Sequence, residues 1–264
     1  MKHVKITLIA LCCLALAASL ALAQGTAQQK VQSLRVKNVK VALGKMDAAS
    51  KDKTRAAGET IEAEDPDLGE SAVLEKGKQR SCFYCGAILM EVMGKSVYNP
   101  ARADDPRTKK KVNAYFKRLA RTLRTAGIAD ETKPDLDDVI AAFQDGNSEA
   151  LGAALDKLSN TIQDNLEEKL GTDAIWYYSL GYSAKGYKLA GQAKLYDMVS
   201  VIAPTPTDLL SAPPDKIDDK ITTALNDLAP VAAKGEDEIG PKDYALLKTR
   251  STIIINSFTK KSAH

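Results

Sequence analysis

Six large aliphatic residues, Leu151, Leu155, Leu158, Ile162, Leu166 and Leu170, recur at spacings of three and four. That rhythm is the repeat of an α-helix with one buried face; a strand would send alternate members to opposite sides. The stretch "SEALGAALDKLSNTIQDNLEEKLG" opens on Ser148, the expected N-cap, and stops at Gly171. At about 1.5 Å per residue this helix is roughly 33 Å long and needs neighbours along its apolar side.

The same pattern extends in both directions. In "DDPRTKKKVNAYFKRLARTLRTAG", Asp105 is a suitable N-cap and Pro106 suits the first turn. Val112, Tyr115, Phe116, Leu119 and Leu123 form its stripe, and Gly127 ends it. A short helix follows around Leu136, Val139, Ile140 and Phe143. "TDAIWYYSLGYSAKGYKLAGQAKLYDMVSVI" is one long helix or two in succession, broken by the prolines of "APTPTDLLSAPPDK". Ile217, Ile221, Leu225 and Leu228 mark another helix, and "PKDYALLKTRSTIIINSFTK" the last. The fold class expected is all-α, a bundle of about seven helices over residues 81–264, with short connections favouring antiparallel neighbours.

The N-terminal part is different. Lys2 and Lys5 precede an 18-residue apolar run, Ile6 to Ala23, with small residues at Ala21 and Ala23. Residues 1–23 therefore read as a signal peptide cleaved before Gln24, and the location expected is periplasmic or secreted. Retention of the run as an anchor is the alternative. No later stretch approaches a membrane span, so no span is expected after cleavage. The formal net charge of +3 falls to +1 once the two leader lysines are removed. So balanced a chain has no electrostatic reason to seek nucleic acid. Residues 24–80 are expected to form an extended arm and a mobile charged linker. The arm is a lone strand or extended segment over Val31–Gly44, and residues 45–80 hold too few large apolar side chains to offset their ordering entropy.

Several chemistries are excluded by composition. The two histidines are His3 and His264, so the interior offers none for a Ser-His-Asp or Cys-His arrangement or for the usual zinc and iron ligand sets. Gly181, Gly186 and Gly191 do not make a phosphate loop, because Tyr187 stands where lysine is needed and no strand precedes them. Asp137, Asp138, Glu167 and Glu168 lie on polar faces and are expected to be solvated. No metal or other cofactor is expected.

Cys82 and Cys85, in "RSCFYCGAILMEVMG", are the cysteines left after the leader. With Ser81 as N-cap, Cys82 would hold the first helical position, where the helix dipole and Lys76, Lys78 and Arg80 favour a thiolate. The unit resembles the redox motif of thioredoxin-like proteins over four residues, without the preceding strand or the βαβ pattern. In an oxidising compartment the simplest expectation is a static disulfide worth roughly 2 kcal/mol for so small a loop. A redox-active pair and two buried thiols are the alternatives.

The helix after Gly171 carries a stripe of small residues, Ser179, Ser183, Gly186, Ala190 and Ala193, flanked by aromatic ones. Three internal glycines cost about 1 kcal/mol each relative to alanine, so something offsets them. One answer is close approach of a neighbouring helix. The other is an aromatic-walled groove for a small apolar ligand or a partner helix, lined by Trp176, Tyr178, Ser179, Tyr182, Ser183, Gly186 and Tyr187. The functional expectation is an exported, non-enzymatic helical protein that binds a small apolar ligand or an envelope protein. The alternatives are a thiol–disulfide protein acting through Cys82 and Cys85, and a structural envelope component.

Overall fold

The computed structural model describes residues 31–36, 77–96 and 106–259, with isolated positions at 29, 49, 53 and 56. The leader, most of the expected linker and residues 37–44 of the expected strand lie outside the described residues. The chain divides into two compact units, residues 1–33 and 34–264. In the first, Gln29 and Val31–Ser33 are helical; in the second, Leu34 is helical, and Arg35 and Val36 are not. The lone strand or extended arm expected from Val31 is therefore helical over Val31–Leu34.

The second unit is all-α. Its described helices are α1 (Lys78–Ser96), α2 (Pro106–Ala126), α3 (Ala129–Gln144), α4 (Ser148–Leu170), α5 (Thr172–Ala193), α6 (Tyr196–Val201), α7 (Pro206–Ser211), α8 (Asp219–Ala232) and α9 (Pro241–Thr259). No strand occurs among the described residues. No helix of theirs is long and apolar enough to cross a membrane. Of the one long helix or two in succession expected after Gly171, the structure has two, because Lys194 takes a left-handed conformation (φ 55°) and separates α5 from α6.

α5 is the axis of this unit. Between Asp173 and Lys194 its only charges are Lys185 and Lys188, and a helix apolar on every side must be covered on every side. It is buried without interruption from Ala174 to Gly191. α1 packs along it most extensively, then α9, with α4 on another side. The glycines explain the approach. A Cβ on Gly86 of α1 would lie 1.9 Å from the Tyr178 carbonyl oxygen, and one on Gly181 of α5 would lie 1.9 Å from that of Phe83. The backbones of α1 and α5 thus touch at a reciprocal glycine crossing. Gly191 performs the same service for α9, where a Cβ would meet Tyr244 O at 2.6 Å. Phe258, near the end of α9, stacks on Phe83 with centroids 4.0 Å apart.

The amphipathic helices pack as their stripes dictate. Val112, Tyr115, Phe116, Leu119 and Leu123 of α2 are all buried, as are Leu151, Leu155, Leu158, Ile162 and Leu166 of α4. Phe116 meets Phe143 edge-on at 5.8 Å, so α3 runs back along α2 after the two-residue turn at Gly127 and Ile128. Burial acts to raise the Asp135 carboxyl, but Lys157 at 2.8 Å and Thr161 at 2.5 Å, both on α4, hold it below the ordinary aspartate range.

Two expected helix starts move, and the start of α3 is now defined. Asn147, not Ser148, caps α4, accepting from the Ala150 N–H at 3.0 Å. α3 begins at Ala129, well before its first apolar position, because Asp130 and Glu131 in the first turn suit the helix N-terminus. α1 begins at Lys78, after Gly77 at φ +84°, a conformation that glycine reaches without strain. Ser81 is therefore no N-cap but an internal, buried residue.

Candidate functional site

The seven residues expected to line a groove on α5 are all buried in the structure, and their partners are other parts of this chain. Trp176 Nε1 donates to Leu209 O at 2.8 Å. The Tyr178 hydroxyl lies 2.9 Å from Ser159 Oγ on α4. Ser179 Oγ donates to Leu34 O at 2.5 Å, and Ser183 Oγ to Pro204 O at 2.7 Å. Gly186 faces the Met90 side chain and Ile202. Tyr182 is buried, and Tyr187 is buried with no hydrogen-bond partner for its hydroxyl among the described residues, its ionisation pushed up by burial. The structure thus distributes these side chains around the helix against several neighbours.

One side of that arrangement holds a short piece of chain. Leu34 and Val36 are buried, and the Gln163 side chain pairs with both backbone groups of Val36, accepting from N–H at 2.8 Å and donating to C=O at 3.3 Å. Gln163 also donates to Ser159 Oγ at 3.2 Å, which joins the Tyr178 hydroxyl to the same network. Between the two apolar anchors, Arg35 forks onto Asp164 at 2.6 Å and Glu167 at 2.7 Å. Glu167 is therefore a half-exposed ion-pair partner rather than a freely solvated group. Asp137 and Asp138 are largely exposed, in ion pairs with Lys133 and Lys157.

Cys82 and Cys85 are free thiols and buried. Because α1 starts at Lys78, Cys82 sits one turn inside the helix and not at its N-terminal amides. Burial pushes its thiol up to about 12, against the smaller opposing effects of its own backbone hydrogen bond and of Lys78. Burial likewise pushes the Cys85 thiol well up. At neutral pH these groups are protonated and shielded, the opposite of an activated nucleophile.

α1 and α5 also share an ion pair that the sequence did not advertise. Lys185 Nζ contacts Glu91 Oε1, with the side chains 2% and 7% exposed, and Glu91 Oε2 finds no hydrogen-bond partner among the described residues. This pair lies inside the packed core, so it is a structural feature and not a surface on which to bind.

An open cleft among the described residues lies elsewhere, between α2 and α3. A cleft of about 510 Å³ is floored by Phe116, Ala120, Leu123, Leu136 and Ile140. Volumes of this order hold small organic ligands. On the α2 wall stand Lys117 and Arg124; on the α3 wall, Asp130, Lys133 and Asp137. Lys133 is occupied by Asp137, its i+4 neighbour. Among the described residues neither Lys117 nor Arg124 makes an ion pair or side-chain hydrogen bond. Sequence reasoning treated both helices only as amphipathic packing elements. The available signal was charge: α2 carries eight basic residues and no acid in a chain nearly balanced as a whole. Among the described residues, no group of three or more His, Cys, Asp or Glu side chains is placed to hold a metal ion. The chain matches no family model, no curated protein and no solved structure in the comparisons made.

Proposed function

We propose that this chain is an exported, non-enzymatic helical binding protein, and that its ligand site is the α2–α3 cleft. The observation that carries this reading is the cleft itself: an apolar floor, open to solvent, beneath two cations with no partner among the described residues. A small ligand with an apolar body fits such a cavity better than the α5 surface, whose small side chains already pack against α1, α9 and residues 34–36. Export rests on the leader-like residues 1–23. The absence of histidine between His3 and His264 and the buried, protonated thiols weigh against a catalytic role.

The test is a titration of the purified protein with N-phenyl-1-naphthylamine, a neutral dye whose emission rises in apolar cavities. Saturable enhancement is expected. Ala120→Trp, which places an indole in the cleft from a half-buried position, should reduce the enhancement at least tenfold while leaving the helical circular dichroism unchanged. No enhancement in the parent protein, or full enhancement in the variant, would remove the cleft as the site.

A further inference from the structure

We infer that the natural ligand of the cleft is a single-chain amphiphile with one carboxylate, a free fatty acid, whose headgroup is held by Lys117 and Arg124. This inference rests on the cleft reading above and specifies the ligand class.

The floor asks for an alkyl chain. Phe116, Leu123 and Leu136 close its bottom, and half-buried Ala120 and Ile140 extend it towards solvent. None of these five side chains offers a polar atom, so the body of the ligand is selected only by shape and burial. The polar selection is left to the walls. Lys117 and Arg124 are seven residues apart on α2, two turns along one face, roughly 10 Å. Both are long enough to converge on one group between them. The Lys133 charge is neutralised by Asp137 across one turn of α3. Asp130 is the other acid of the cleft, and it makes no ion pair among the described residues. Among the described residues, two uncompensated cations against one acid leave an excess of one positive charge, which a monoanion balances. A neutral amphiphile could take hydrogen bonds from Asn113, Gln144 or the cations but would gain no ion pair, a cationic one would be opposed by the walls, and a dianion would overshoot the balance. A guanidinium beside an ammonium also suits a carboxylate, because the planar fork can take both oxygens. The apolar surface is recessed between two helices, so it receives a single chain and not the plane of a bilayer.

The experiment measures displacement of bound N-phenyl-1-naphthylamine at pH 8 by laurate held below its micelle concentration. The comparison compounds are 1-dodecanol and dodecyltrimethylammonium, and a separate arm measures co-sedimentation with phosphatidylglycerol vesicles. Laurate is expected to displace the dye at a concentration at least tenfold lower than dodecanol, and the cationic amphiphile to be weaker than both. In Lys117→Gln/Arg124→Gln, with each competitor referred to that variant's own dye affinity, laurate should fall to the level of dodecanol. Equal displacement by laurate and dodecanol, or a laurate preference that survives the double substitution, overturns the carboxylate inference and leaves the cleft reading standing. Binding to vesicles without displacement by free laurate overturns it in favour of a membrane-surface ligand. Failure of the dye itself to bind removes the cleft reading and this inference together.

Discussion

Gly181→Ala should destabilise the protein by about 3 kcal/mol or more, and Gly86→Ala by a similar amount. In each case the new methyl group would sit 1.9 Å from a carbonyl oxygen of the facing helix, and backbone cannot swing aside as a side chain can. The expected loss corresponds to a drop of roughly 10 °C in the thermal midpoint of a chain this size. Gly186→Ala is the control. Its methyl would first meet Met90 Cε at 2.7 Å, the far end of a flexible side chain, and alanine gains about 1 kcal/mol of helix propensity. That variant should lie within about 1 kcal/mol of the parent. Urea unfolding of the three variants checks the order. If Gly181→Ala and Gly186→Ala were equally mild, α1 and α5 would not touch through their backbones.

The second large effect concerns the ion pair buried between the same helices. Glu91→Ala leaves Lys185 charged and uncompensated at 2% exposure, and Lys185→Ala does the same to Glu91. Each should cost about 3–5 kcal/mol. The double replacement Glu91→Leu/Lys185→Met should recover most of that loss, because it removes both desolvation penalties and keeps the volume filled. Glu91 Oε2 is buried without a partner, so the pair is not fully satisfied even in the native protein. A double-mutant cycle by urea denaturation measures the coupling. Single variants costing under 1 kcal/mol would mean that the pair is solvated.

These effects also show what the residues revealed before the fold was known. The stripes of α2 and α4 were legible, because side chains three and four apart must share a face whatever surrounds them. On α5 the sequence leaves open a close helix contact and a ligand groove, and the geometry at Gly181 and Gly191 shows a close contact there. Helix starts were less legible. Ser81 and Ser148 are good capping residues in isolation, but Gly77 and Asn147 set the ends of α1 and α4. Cys82 was assigned to a helix terminus for that reason, and its burial one turn inward reverses the direction of its ionisation.

The rest depended on which elements meet. Glu91 and Lys185 are nearly a hundred residues apart in sequence, and only the α1–α5 crossing pairs them. The α2–α3 cleft is a property of two helices and the two-residue turn that sets their spacing. Its floor residues are the same Phe116, Leu123, Leu136 and Ile140 that mark ordinary amphipathic stripes, so period alone could not separate a lined cavity from a packed core. Only the one-sided charge of α2 pointed beyond packing.

Hydrogen–deuterium exchange with and without N-phenyl-1-naphthylamine is the most direct test of where this protein binds. Protection on binding is expected in peptides covering residues 113–144, with residues 174–191 unchanged because they are already buried in the free protein. Protection centred on 174–191, with none between 113 and 144, would contradict the account and return the binding site to the aromatic helix.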